Sequence, residues 1–290
     1  MKRIALFLLT NLAIMVTLSI VLSLLGVGGY YTADGLDYTA LMVFCLVWGM
    51  GGAFLSLQMS RWIAKRAMGV KVIAGHTGHE ELDWLYRTVQ RLTQQAQLPM
   101  PEVGYYESGE VNAFATGPSR RRSLVAVSTG LLRSMRREEV EGVLAHEVTH
   151  IQNGDMVTMT LVQGVVNAFV MFFSRIIANI VRQMVDEKIA YVATIVTTIF
   201  FDIVFGILGM TIVAWFSRAR EFRADAGGAA LAGRSNMIAA LQRLAANKEL
   251  VDTSRPALAT MKIAGAKGWM ALFSTHPPLE VRIQALQDLR

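Results

Sequence analysis

Between Arg3 and Asp34 the chain carries no charged residue, and the core of that stretch, IALFLLTNLAIMVTLSIVLSLLGV, is long enough to cross a bilayer, which takes ~20 residues. Three further windows follow: Tyr38–Ser60, the stretch between Asp155 and Arg175, and Ile189–Ser217, which only Asp202 interrupts. The whole composition agrees, with 53% hydrophobic and only 17% charged residues, too apolar for an ordinary soluble domain. A cleaved signal peptide is the rival reading of the first window. Its apolar run exceeds the roughly 7–15 residues of a signal core and no small-x-small cleavage site follows, so an uncleaved anchor is expected.

The lysines and arginines orient these windows. Lys2 and Arg3 precede the first, and Arg61, Lys65, Arg66 and Lys71 follow the second, while the loop GGYYTADGLDY between them holds two aspartates and no basic residue. Both outer ends of this pair are therefore expected in the cytoplasm, as is the segment after the fourth window, which opens with Arg218, Arg220 and Arg223. The third and fourth windows, crowded by Arg175, Arg182 and Asp202, either span or dip in as a hairpin; both return the chain to the same side. On antiparallel helices Asp202 would lie near the depth of Arg175, which suggests a pair, since a lone carboxylate there is costly. The net charge of +6 sits beside the apolar runs, as a membrane surface explains and nucleic-acid binding does not. The single cysteine, Cys45, excludes an intramolecular disulfide and suits a reducing compartment.

The polar segment 67–155 begins with a capping box of Thr77 and Glu80 and a helix whose Leu82, Leu85, Val89 and Leu92 share one face. MPEVGYYES, VNAFATG and SLVAVSTG then read as short strands of a small antiparallel sheet, followed by the helix RREEVEGVLAHEVTHI.

That helix carries the chemistry. His146-Glu147-Val148-Thr149-His150 is H-E-x-x-H, and residues four apart on a helix share a face, so both imidazoles can bind one ion. Glu147, one residue along, is placed to take a proton from water activated by that ion. A catalytic zinc needs a third protein ligand and an open position. SRAREFRADAGG, just past the fourth window, offers Glu221 and Asp225 four residues apart: Glu221 as ligand, and Asp225 to accept a hydrogen bond from the free ring nitrogen of a ligand histidine.

AHEVTHIQNGDMVT, REFRADAGG, VNAFATG, VAVSTGLL and STHPPLEVRI together resemble the HtpX membrane metalloproteases, relatives of the eukaryotic CAAX prenyl protease, over essentially the whole chain. The resemblance implies an α+β membrane protein: four apolar, transmembrane helices and a mainly helical cytoplasmic zincin-type protease domain with a small antiparallel sheet. The organisation expected is a transmembrane pair (1–66), a protease part with sheet and H-E-x-x-H helix (67–155), a transmembrane or re-entrant hairpin (156–216) and a second protease part with the third ligand (217–290). It further implies a multi-pass enzyme of the bacterial inner membrane, with one Zn²⁺ per chain held by His146, His150 and Glu221, and Glu147 as base. Its implied substrates are misfolded or damaged membrane proteins, in stress-linked quality control. From the same resemblance, His276 would stabilise the oxyanion, Arg282 would lie near the substrate or the ligand carboxylates, and Asn112, Ala113 and Phe114 would hold substrate at a sheet edge. Alternatives are a prenyl-protein-type membrane protease, or a non-enzymatic membrane chaperone or scaffold with structural zinc. Structural zinc usually has four protein ligands, mostly Cys, and the three here argue against the last. His76 and His79 flank a helix start without a further ligand and are discounted. Arg120, Arg121 and Arg122 read as a solvated turn within reach of acidic lipid headgroups.

Overall fold

Inside a bilayer a long uncharged run satisfies all its backbone N–H and C=O groups only as a helix or a closed barrel, and the four windows are helical in the computed structural model, which describes residues 2–26, 29–32, 35–254 and 274–289. The chain runs α1 (Lys2–Leu24), β1 (Tyr31–Thr32), β2 (Gly35–Leu36), α2 (Tyr38–Leu46), a π-turn (Val47–Gly51) and α3 (Gly52–Met68). There follow β3 (Lys71–Ile73), α4 (Glu80–Gln95), β4 (Glu102–Tyr106), β5 (Ala113–Ser119), β6 (Arg122–Ser128), α5 (Thr129–Ser134) and α6 (Arg137–Asn153). Last come α7 (Asp155–Met184), α8 (Glu187–Ala232), α9 (Arg234–Ser254) and α10 (Leu279–Gln287). Two units result: residues 1–57 with 158–213, and 58–157 with 214–290.

The first unit buries small side chains beside a few leucines, among them Leu18, Leu22 and Leu41, and turns many of its large apolar side chains outward. Ala168, Ser174 and Ala178 are buried, whereas Phe169, Phe173, Ile199, Phe200, Ile203 and Leu208 face outward. Small residues let backbones touch: a Cβ on Gly49 would lie 2.7 Å from the Ala168 nitrogen and 2.8 Å from the Gly164 carbonyl. Small residues inside and large apolar ones outside is the arrangement that lipid favours. Among the described residues, three helices are long and apolar enough to cross a membrane: Tyr38–Met68, Asp155–Met184 and Glu187–Ala232. A shorter apolar stretch, Leu12–Leu24, lies in α1. The 30 residues of α7 extend ~45 Å, beyond the ~30 Å of a hydrocarbon core. Inside this unit Arg175 Nη1 stands 3.7 Å from Asp202 Oδ1, donates to the Met171 carbonyl at 3.0 Å, and its guanidinium lies 5.7 Å from the Phe44 ring.

The second unit holds a four-stranded sheet in the order β3-β4-β6-β5. The expected all-antiparallel sheet is corrected here: β4 pairs with β6 in parallel, from Glu102↔Leu124 to Tyr106↔Ser128, while the other two pairings are antiparallel. The reason lies in burial. β6, buried from Ser123 to Ser128, takes the interior; β5 carries Pro118, which an edge tolerates; and the local β5–β6 hairpin leaves the far side of β6 for β4. Leu85, Val89 and Leu92 of α4 pack with Val125, Val127, Val140, Leu144 and Val148 in one core.

The start of α4 also departs from expectation. It begins at Glu80 with His79 as its N-cap, and Asp83 rather than Glu80 secures the preceding loop, accepting from the Thr77 N–H at 2.6 Å and its hydroxyl at 2.8 Å. Glu80 instead accepts from Arg137 at 2.7 Å. A buried carboxylate one turn into the helix outcompetes an exposed one at its rim. α6 is stopped at its far end by Gly154 in the left-handed conformation (φ 70°), which glycine adopts without steric cost.

Candidate metal centre

α6 projects His146 and His150 from one face, with their Nε2 atoms 3.0 Å apart. From α8, Glu221 brings Oε2 to 3.6 Å from His146 Nε2 and Oε1 to 3.5 Å from His150 Nε2. Three donors bound tetrahedrally to one zinc at ~2.0–2.2 Å would stand about 3.3–3.6 Å from one another. The group therefore closes on a volume of ionic size, and the three residues are the His/Cys/Asp/Glu cluster that fits an ion among the described residues. Two glycines of α8 let its backbone come this close: a Cβ on Gly228 would meet the His146 nitrogen at 3.1 Å, and one on Gly227 would collide with the Thr149 side chain.

Behind the donors lies a buried layer of acids. Asp225 Oδ1 is 2.9 Å from His146 Nδ1, and Asp155 Oδ2 is 2.6 Å from His150 Nδ1, so both rings have their Nδ1 engaged and Nε2 turned to the cluster. Arg282 of α10 grips Asp225 in a fork, Nε to Oδ2 at 2.7 Å and Nη2 to Oδ1 at 2.6 Å. Its Nη1 stands 3.5 Å from Glu221 Oε2, to which His276 Nδ1 approaches at 3.0 Å. Glu221 Oε1 is buried with no hydrogen-bond partner among the described residues; Arg220 Nε, 3.5 Å away, is not aligned to donate. A buried anionic oxygen left without a donor is costly, and a cation held by His146, His150 and Glu221 would relieve that cost.

Burial alone would push the His146 pKa down, but the Asp225 and Glu221 carboxylates outweigh it and lift it to about 9 in the metal-free protein. Burial opposes the charge of Asp225 as well, yet the fork of Arg282 and the His146 ring hold its carboxyl below the usual range.

The remaining expected residues fall as follows. Glu147 follows His146 on α6 and is half-buried. Arg282 stands with the carboxylates, 6% exposed, which leaves it little surface for substrate. His276 is largely exposed. Asn112 immediately precedes the edge strand β5, and its backbone faces β6: Ser128 N–H donates to the Asn112 carbonyl at 2.9 Å. By the strand alternation, Phe114 also faces β6 and the backbone groups of Ala113 and Ala115 face the free edge. Asp155 was missed. Its signal was present, an acid just past the Gly that stops the H-E-x-x-H helix, within the apolar window's first turn.

The sequence profile of peptidase family M48 matches residues 79–290. The chain belongs to that family. Among its relatives, "Protease HtpX" of Cellvibrio japonicus is 52% identical over 99% of both chains, and "Protease HtpX homolog" of Bacillus subtilis is 54% identical over 99% of both. "Protease HtpX homolog" of Paracidovorax citrulli is 55% identical over the same share. Among solved structures, S. mikatae Ste24p superposes with a TM-score of 0.62 at 17% identity, covering 98% of this chain and 66% of that one. That likeness concerns the fold alone. The M48 chain is thus a metalloendopeptidase with membrane helices.

Proposed function

We propose that the chain is a zinc endopeptidase of the bacterial inner membrane whose four apolar helices span the bilayer and whose active site faces the cytoplasm. It hydrolyses peptide bonds in misfolded or damaged membrane proteins. The observation that carries this reading is the closure of His146, His150 and Glu221 around one ion-sized point, with Glu147 on the same helix as both histidines. Two imidazoles and one carboxylate suit zinc and leave a coordination position open. The basic residues flanking the apolar helices support the orientation, and the names of the relatives support the protease class.

Zinc, when bound, supplies a Lewis acid that polarises the scissile carbonyl and lowers the pKa of water beside it. The chain's own residues do the rest. Asp225 and Asp155 hold the His146 and His150 rings by Nδ1, keeping Nε2 available to the ion. Arg282 positions Asp225 and so acts on His146 at one remove. The outward N–H and C=O groups of Ala113 and Ala115 hold the substrate extended along β5, with Asn112 and Phe114 fixing that strand to β6. Glu147 accepts the proton of the attacking water and passes it to the leaving nitrogen as the C–N bond breaks, giving a carboxylic acid and an amine with no acyl-enzyme. His276, braced at Nδ1 by Glu221, offers its other ring nitrogen to the developing oxyanion.

Glu147→Gln tests this. The purified variant retains one zinc per chain by elemental analysis, while cleavage of a membrane-protein substrate falls by about 10²–10⁴-fold, the worth of a general base. Cleavage at the wild-type rate by contaminant-free variant protein overturns the mechanism.

A further inference from the structure

The turn between β5 and β6 places Arg120, Arg121 and Arg122 side by side, all exposed. Three like charges in one tight turn repel each other, and among the described residues no carboxylate pairs with any of them. The turn is nonetheless held in one shape. Ser119 Oγ accepts from the Arg122 N–H at 3.3 Å, and Ser123 Oγ donates to the Arg120 carbonyl at 3.1 Å. Arg122 Nη2 donates to Gln58 Oε1 of α3 at 3.0 Å. Gly117, at φ +143°, permits the strand irregularity that aims the turn, since a Cβ there would collide with the Arg122 carbonyl.

Beside the turn is a cavity of about 350 Å³ lined by Ser119, Arg120 and Arg121 on one side and by Gly154, Met156 and Val157 on the other. One side is formed by two exposed arginine side chains and the other by Gly154, Met156 and Val157, and the lining is almost wholly apolar. The neighbours in the chain say where such a cleft stands: Gln58 and Val157 are bonded to Leu57 and Thr158, the residues at which the chain passes into the apolar unit.

We propose that this cleft binds the headgroup of an anionic phospholipid: the guanidinium groups of Arg120 and Arg121 take the phosphate, and Met156 and Val157 take the glycerol end of the acyl chains. Planar guanidinium matches phosphate oxygens in a bidentate manner, and an anionic membrane surface attracts each basic side chain near it. An acidic peptide would satisfy the arginines but would leave the Met156–Val157 wall unused, so the lipid is favoured. The proposal rests on the apolar unit being membrane-embedded, and not on the catalytic reading.

The test uses the full-length Glu147→Gln chain, so that its outcome is independent of proteolysis. Retention of short-chain phosphatidylglycerol by the detergent-solubilised protein is measured by native mass spectrometry, against phosphatidylcholine of equal chain length, inorganic phosphate and a polyglutamate peptide. We expect preferential retention of phosphatidylglycerol. Arg120→Gln/Arg121→Gln should weaken it about 30-fold, the combined worth of two basic groups at an anionic surface, and the exposed control Arg133→Gln should leave it unchanged. Arg120→Lys/Arg121→Lys, which keeps the charge and loses the planar fork, should fall between; its unchanged Tm guards against misfolding. Equal retention by wild type and the double Gln variant overturns the proposal, as does inorganic phosphate or polyglutamate binding as tightly as the lipid.

Discussion

Glu221 divides its two oxygens between two tasks. Oε2 meets His276 and Arg282, and Oε1 is left without a hydrogen-bond donor among the described residues. The same division recurs in the histidines, whose Nδ1 atoms go to acids and whose Nε2 atoms converge. Because these acids orient and polarise the rings, Asp225→Asn and Asp155→Asn should each weaken zinc affinity about 10–100-fold in a chelator competition. Titration gives a second check. His146 in the metal-free protein has its pKa raised from 6.5 to about 9, so its contribution to stability is fully present below pH 6.5 and is lost as the pH rises through about 9. The Tm of chelator-treated protein should therefore decline across that window, and Asp225→Asn should flatten the decline. At this scale the sequence was most readable where the chemistry is local. Two histidines one helical turn apart share a face whatever surrounds them. Asp155 escaped notice because its role depends on the turn at Gly154, and the fork of Arg282 on Asp225 could not be read because the two are 57 positions apart.

The elements come together where side chains are smallest. Gly227 and Gly228 bring α8 against α6, and Gly227→Val should cost about 1–3 kcal/mol by overpacking while also weakening zinc, because Glu221 rides on the displaced helix. Thermal unfolding and metal content, measured on the same preparation, separate that outcome from a purely local one, which would lower Tm and leave zinc bound. Helices were legible in the sequence from period and apolar run, as Leu85, Val89 and Leu92 illustrate. The sheet was less so. Alternation marks a strand but says nothing of its partner, and the parallel pairing of β4 with β6 follows from which strand is apolar enough to be central.

Over the whole chain, two packing logics meet in one polypeptide. The unit of 58–157 and 214–290 buries mainly large apolar side chains, whereas the unit of 1–57 and 158–213 buries Ala168, Ser174 and Ala178 alongside Leu18, Leu22 and Leu41 and exposes many of its large ones. Within the latter, Arg175 and Asp202 stand 3.7 Å apart, the pair suggested by their matching depth in the sequence. Removing either charge strands the other in an apolar setting, so Asp202→Asn and Arg175→Gln should each lower Tm in detergent more than the double variant does. The order of the ligands along the chain has a consequence for biosynthesis. His146 and His150 are translated before the last two apolar helices, Glu221 comes towards the end of the second of these, and Arg282 follows later still. A nascent chain that has not yet laid down both helices holds only two of the three donors. On the proposed ligand set the enzyme is therefore made unarmed, and it gains the means to cut only after the ribosome has delivered both of these apolar helices.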